Sequence, residues 1–324
     1  MVEDSSVLLG GLRRLARFAA HRAGVPGSCA ACGGALGGDV LADRADGTVV
    51  RHGAAVAKAH APDADPGGHA ARVAVAADPA LRGILLPPLP LPEDAEVAGR
   101  TVTVWPYGVP VDPADPDAAP WEETARLLAR LHRTPPPAGP LPPHRGPAKA
   151  ARAVARLLAG APQPDAAPVL RAWAGLPAWA RGEAPPPRAD VLCHGDLHLG
   201  QLVRHPAPDG PWLLIDVDDL GLGEPAWDLA RPAAWYAAGI LPPDIWAAFL
   251  AAYRAAGGPA VPAEGDPWPQ LDVPARALTV QTAALALVKS AAENRSPDEV
   301  ERLMLDACAR IASVRTDLDG SASS

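Results

Sequence analysis

The chain has 324 residues, 37 acidic and 29 basic, for a formal net charge of −8, and 48% of it is hydrophobic. That is enough apolar material for a sizeable core and excludes whole-chain disorder; the acidic balance argues against a general nucleic-acid or membrane-surface binder, which needs a basic face. Four cysteines do not make a disulfide scaffold, so a reducing cytoplasm is the expected setting, and no run approaches the roughly 18 consecutive apolar residues of a membrane span.

Met1 to His21 superficially resembles a signal peptide, but Glu3 and Asp4 come first and Arg13, Arg14 and Arg17 interrupt the apolar run. Leu8, Leu12, Leu15 and Phe18 fall at helical spacing, which predicts an amphipathic helix. A turn-rich region follows, with Gly33-Gly34-Ala35-Leu36-Gly37-Gly38, then strand-like runs at Asp39–Ala42, Thr48–Arg51 and Val56–His60. Asp46-Gly47 between apolar runs marks a hairpin. A short helix is predicted over Gly68–Ala77, and strands over Ile84–Leu86 and Thr101–Val104.

Prolines punctuate the chain from Pro106 to Pro120. Leu127, Leu128 and Leu131 then set a helical pattern that Pro135-Pro136-Pro137 ends. Helices between proline-rich loops fill the rest, except for short strands at Val191–Cys193 and Trp212–Ile215. The expected layout is a β-rich lobe over 1–104, a hinge over 105–120 and a helical lobe over 121–324. Trp227, Trp235 and Trp246 sit at helical spacings and are expected in the core.

The chemistry concentrates in His194-Gly195-Asp196-Leu197-His198-Leu199-Gly200-Gln201 and in Asp216, which follows the apolar run Leu213-Leu214-Ile215. A hairpin of the two flanking strands would bring an acid, an amide and a second acid to one end. Phosphoryl transfer uses such groups: one carboxylate orients the attacking hydroxyl, while a carboxylate and an amide oxygen hold Mg²⁺. A His-x-Asp with an amide five residues on is also the spacing of the protein-kinase catalytic loop.

The segment resembles the aminoglycoside phosphotransferase, or small-molecule kinase, family. That family carries His-Gly-Asp, four residues, Asn, then Ile-Asp and Gly-Asp-Pro-x-x-Asp-Leu-Ala. Here stand His194-Gly195-Asp196, Gln201, Ile215-Asp216, Gly223-Glu224-Pro225 and Asp228-Leu229-Ala230. The wording around His194 is similar to the maltokinase and glucosamine-kinase branch. The resemblance implies a protein-kinase-like two-lobe α+β fold and transfer of the γ-phosphoryl of ATP to a hydroxyl of a small polar acceptor, such as an aminoglycoside, an amino sugar or another sugar-like metabolite. It implies Asp196 as catalytic base, Gln201 (where the family has Asn) and Asp216 as Mg²⁺ ligands, and His194 and Asp228 as supports of the loop. A catalytically impaired kinase fold acting as a nucleotide- or ligand-binding regulatory module is the alternative.

Kinases also place a strand lysine on the nucleotide phosphates. Lys58 is the only lysine before Lys149 in a chain with three lysines in all, so its retention is informative. The usual helix-glutamate partner is missing, since no Glu lies between Glu3 and Glu93; Asp63 or Asp65 is the available substitute. By the same resemblance Trp105 and Tyr107 lie in the hinge that binds adenine, where the plain alternative is a proline turn. The glycines at 33–38 either cover phosphates or form a turn. His198, Asp218, Asp219 and Glu224 are candidates for acceptor contact, against readings as loop histidine and solvated acids. Cys29-x-x-Cys32 lacks the second pair a structural zinc requires, and incidental thiols are the simpler reading.

Overall fold

The computed structural model describes residues 2–22, 39–44, 47–62, 65–91 and 95–321. The glycines at 33–38, Cys29, Cys32, Asp46 and Asp63 lie outside the described residues. Two compact units emerge. One comprises residues 1–119, 139–141 and 200–218, the other 120–138, 142–199 and 219–324.

The first unit opens with α1 (Val2–Arg22), followed by β1 (Asp39–Arg44), β2 (Gly47–His52), β3 (Ala55–His60), α2 (Pro66–Ala77), β4 (Glu96–Val97) and β5 (Arg100–Pro106). The strands form one antiparallel sheet in the order β1-β2-β3-β5-β4. Side chains alternate between its faces. Ala55, Ala57, Ala59, Val102 and Val104 join Leu8, Leu12, Ala16 and Ala19 of α1 in one buried cluster. The opposite face carries Lys58, its cross-strand neighbour Thr103, and His60. The buried face of α1 therefore differs from the expected one. Phe18 is 55% exposed, while Ala16 and Ala19 are buried. At about 100° per residue, Leu8, Leu12, Ala16 and Ala19 make one stripe and Phe18 lies over a quarter-turn away from it.

The same unit holds a three-stranded sheet, β6 (Val109–Pro110), β8 (Leu202–Arg204) and β9 (Trp212–Leu214), in the order β6-β8-β9; β7 (Val191–Cys193) belongs to the second unit. The stretch 84–86 runs beside β9 through the bonds Leu86 N–H to Leu214 O (2.9 Å) and Leu214 N–H to Ile84 O (2.8 Å) without becoming a strand of the sheet. This pairing corrects the expected hairpin. β9 pairs with β8, whereas β7 pairs antiparallel with β10 (Gly221–Gly223).

The second unit is mainly helical: α3 (Trp121–Arg133), α4 (Gly146–Ala159), α5 (Ala166–Ala174), α6 (Ala230–Ala237), α7 (Pro243–Ala255), α8 (Trp268–Ala292) and α9 (Glu299–Ser321). Its core interleaves Ala153, Val154 and Leu157 of α4 with Val169 and Ala172 of α5, Val280, Ala283, Ala284 and Leu287 of α8, and Met304 and Cys308 of α9. Alanine on facing positions lets these helices approach closely. By length and composition α8 is apolar enough to cross a membrane, but two thirds of its most apolar 18-residue stretch is buried among its neighbours, as in a core helix. Trp227 and Trp246 are buried, and Trp235 packs against the helical core.

Candidate active site

In the first unit, β3 aims Lys58 at two carboxylates that follow β9. Its Nζ lies 2.7 Å from Asp216 Oδ1 and 2.9 Å from Asp218 Oδ2. Burial alone would lower the ammonium's pKa, but Asp216 and Asp218 override it and hold the group charged well above the ordinary lysine range. Gln201 is buried just before β8, and its Nε2 sits 3.4 Å from Asp216 Oδ2. Lys58, Gln201 and Asp216 are therefore neighbours although 158 residues separate the first from the last. Asp216 has φ of +63°, a left-handed conformation rare outside glycine and costly for a side-chain-bearing residue.

Asp218 is the center of a second set of contacts. His60 Nδ1 lies 3.1 Å from its Oδ2 and His69 Nδ1, on α2, 3.8 Å from its Oδ1. His60 Nε2 meets Thr103 Oγ1 at 2.7 Å, and the Trp105 indole N–H donates to the same hydroxyl at 2.9 Å. A consistent relay follows, with Trp105 donating to Thr103, Thr103 to His60 and His60 to Asp218. Burial would raise the Asp218 carboxyl, but Lys58 and His60 drive it far below the usual range. His69 is pushed down to about 4, by burial first and His60 second, so it is neutral. His60, His69 and Asp218 lie close enough together to share a cation, and the Asp218 carboxylate is engaged by Lys58 and His60. Asp65, a candidate partner of Lys58, instead caps α2 by accepting the N–H groups of Gly67 (3.2 Å) and Gly68 (3.1 Å).

The two hinge candidates have defined surroundings. Tyr107 uses its backbone N–H on Ala54 O (2.8 Å) and its carbonyl on His205 Nδ1 (3.1 Å), and its ring lies 3.4 Å beneath the Arg51 guanidinium. Trp105 is in β5, paired with Val56. Both backbone groups of Tyr107 are thus engaged within the unit.

In the second unit, Asp196 is held at both oxygens. Lys149 Nζ, from the first turn of α4, is 2.6 Å from Oδ2, and Arg231 Nη2, from α6, is 2.8 Å from Oδ1. The same ammonium lies 2.7 Å from Asp219 Oδ2, with Arg145 Nε 3.7 Å from Asp219 Oδ1. Burial would raise the Asp196 carboxyl, but Lys149 and then Arg231 bring it below the ordinary value. Burial and Arg231 depress His198 to about 4. Glu224 turns back to cap the 3-10 turn that follows it, accepting the Ala226 N–H at 3.3 Å, and its own carboxyl is raised by burial.

The loop carrying Asp196 is fixed from below by Asp228. This fully buried carboxylate accepts the backbone N–H groups of His194 (2.6 Å) and Gly195 (2.7 Å) and pairs with His132 Nε2 at 2.9 Å. His132 Nδ1 in turn meets the Tyr253 hydroxyl at 2.7 Å, and that oxygen accepts the Ala260 N–H at 3.0 Å. Burial would raise Asp228, but the His132 hydrogen bond lowers it. Gly195 has φ of +84°, and a Cβ there would collide with the Asp219 carbonyl. The middle residue of His-Gly-Asp is therefore glycine for two independent steric reasons.

The structure thus gathers Lys58, Gln201, Asp216 and Asp218 in one unit, and Asp196, Asp219, His198, His194 and Asp228 in the other. Sequence reasoning missed Lys149, Arg231, His132 and His69. Only Lys149 left a trace, as one of three lysines among 29 basic residues.

The model of the phosphotransferase enzyme family matches residues 43–268. No curated protein sequence matches the chain. Among solved structures, a choline/ethanolamine kinase family protein from Mesorhizobium loti is similar at 16% identity and a TM-score of 0.54, over 92% of this chain and 93% of that one. A thermostable mutant of aminoglycoside phosphotransferase APH(4)-Ia is similar at 16% identity and a TM-score of 0.55, over 86% and 94%. Choline kinase LicA from Streptococcus pneumoniae is similar at 15% identity and a TM-score of 0.55, over 86% and 93%. Likeness at such identities is one of fold: the protein-kinase-like α+β fold, with a small antiparallel β unit and a larger, mainly helical one.

Proposed function

The chain belongs to the phosphotransferase enzyme family, and from that premise we propose that it moves the γ-phosphoryl group of ATP to a hydroxyl of a small polar acceptor. The observation that carries this reading is the contact of Lys58 with Asp216 beside Gln201, an ammonium and two oxygen-bearing side chains in mutual reach. A solved APH(4)-Ia mutant in ternary complex with AMP-PNP and hygromycin B, a relative in fold, supports the pairing of nucleotide and acceptor.

Each residue then has a defined task. Lys58 holds nucleotide phosphates as a compact point charge. The Asp216 carboxylate and the Gln201 amide oxygen are hard donors that suit Mg²⁺, which prefers oxygen and keeps waters and phosphates as its remaining ligands. Gln201 now turns its Nε2 toward Asp216; rotation about its last torsion exchanges the amide ends and presents Oε1. Bound there, the cation would neutralise phosphate charge. Asp196 accepts the acceptor's hydroxyl hydrogen bond and orients the oxygen for in-line attack. His194 and Asp228 hold the loop that carries it.

The test is ADP release from Mg-ATP against a panel of aminoglycosides, hexosamines, disaccharides and choline. Acceptor-dependent ADP release, abolished in Asp196→Asn while ATP still binds, is the expected result. ATP binding with no acceptor-dependent turnover across the panel favours the impaired, ligand-binding alternative, and unchanged turnover in Asp196→Asn removes that residue from the reaction.

A further inference from the structure

Lys149 stands out in a chain that fills nearly every basic position with arginine. It bridges Asp196 and Asp219 at 2.6 and 2.7 Å, and two thirds or more of each of the three side chains is shielded from solvent. An ammonium has three tetrahedral donors; a guanidinium presents a flat fork. Bridging two carboxylates from different segments while leaving a third N–H is a task for the former, and among the described residues these two carboxylates are the hydrogen-bond partners of the ammonium. Arg231 fixes the loop from the other side, with Nε on Leu197 O (2.8 Å) and Nη2 on Asp196 Oδ1.

We propose that Lys149 is a positioning residue for phosphoryl transfer: it locks the Asp196 carboxylate in one orientation and sets a positive charge beside the acceptor oxygen as that oxygen becomes a nucleophile. This rests on the phosphotransferase reading above. In the step served, the acceptor O–P bond forms as the bond between the γ-phosphorus and its β-bridging oxygen breaks, the hydroxyl proton passes to Asp196, and ADP departs. A carboxylate already paired with two cations is a weak base. That suits a loose transition state, in which the hydroxyl loses its proton late and orientation counts for more than basicity.

The groups facing Asp196 are Lys149 from α4, Arg231 from α6 and His198 from its own loop, with Asp219 on the far side of the ammonium. Removing Lys149 leaves Arg231 alone against burial and leaves Asp219 without its ammonium, both of which favour the neutral Asp196 carboxyl, so the acid limb of the pH profile moves to higher pH. The experiment compares wild type with Lys149→Met, Lys149→Gln and Lys149→Arg in steady-state ADP release, using whichever panel acceptor supports turnover. Thermal midpoints serve as the folding control. Lys149→Met and Lys149→Gln are expected to lower kcat about a hundredfold, with KM for ATP within twofold, and to raise the acid limb of kcat/KM by about one pH unit. Lys149→Arg restores the acid limb but only part of kcat. A folded Lys149→Met enzyme with kcat within threefold of wild type overturns the inference, as does a loss of kcat with an unmoved acid limb. A wild-type chain inert toward the whole panel instead defeats the phosphotransferase reading itself.

Discussion

Replacing Asp228 by Asn tests how the loop that carries Asp196 is held. The carboxylate serves three donors: two backbone N–H groups and His132. An amide oxygen at the Oδ2 position keeps His194 N–H and His132, but its NH₂ then faces the Gly195 N–H, donor against donor. Two buried donors, the Gly195 N–H and the new amide NH₂, are then left without an acceptor at about 1–3 kcal/mol each, so the substitution costs roughly 3 kcal/mol or more. For a unit of about 200 residues, that lowers the thermal midpoint by some 6–12 °C. Turnover falls at least tenfold, since Asp196 directly follows the freed Gly195 amide.

The same variant has a pH signature. The folded-state carboxyl of Asp228 lies below its unfolded value, so its contribution is fully present above about pH 4 and fades as pH falls through the folded value. The Asn variant has no such proton to take up. Urea unfolding of both proteins from pH 7 to pH 3 therefore gives a stability gap that is constant near neutrality and narrows below about pH 4. An Asn variant within 1 °C of wild type at pH 7, or a gap that widens on acidification, refutes the assignment of Asp228 as the ionised anchor of the loop.

Gly195→Ala combines a left-handed φ with a Cβ driven into the Asp219 carbonyl, so a loss of at least about 2 kcal/mol in urea unfolding and of most ADP-releasing activity is expected. Tyr253→Phe strands His132 Nδ1 and the Ala260 N–H; a loss of about 1–3 kcal/mol is expected in the same unfolding assay. Asp216→Asn is expected to weaken Mg-dependent ATP binding at least tenfold by calorimetric titration, with little change in folding, because Asp218 still pairs with Lys58. His69 and His144, the latter buried and accepting the Gly146 N–H on Nδ1 at 3.3 Å, are both held neutral chiefly by burial, with folded values of about 4, so each opposes acidification between its unfolded value near 6.5 and 4. Stability is present above that window and lost as pH falls through it, by at most roughly 3 kcal/mol per group, and His144→Phe should flatten the dependence measured by urea unfolding.

The parts of the fold legible in the sequence were those with strong local patterns. The strand carrying Lys58, the helix after Trp121 and the spaced set from His194 to Asp228 all announce themselves within short windows. The pairing of β7 with β10 did not, because a strand of three buried residues has no alternation from which to read a register. The buried face of α1 was obscured by composition: in an alanine-rich chain Ala16 and Ala19 carry little weight beside Phe18, yet only the alanines are buried. Lys149 and Arg231 were lost for a different reason. A charge on a helix ordinarily faces solvent, and only the tertiary structure shows that these two point at one carboxylate.

The absence of a helix glutamate becomes intelligible in electrostatic terms. Lys58 already has two carboxylate partners, both supplied by the segment after β9 rather than by α2. One ammonium between two carboxylates carries a net charge of −1, and a glutamate on α2 would add a second uncompensated charge in a partly buried site. The helix instead contributes His69, neutral and close to Asp218, which fills the space without charge. Were Asp216 to hold a divalent cation as proposed, Lys58 would keep Asp218 as its carboxylate partner. That pair is formally neutral, so the ammonium would meet nucleotide phosphates without a surplus negative charge repelling them. Asp218 thus supplies from beyond β9 the carboxylate that α2 lacks, and under the proposed function it would tie the phosphate-binding lysine to the segment that holds the metal rather than to the helix.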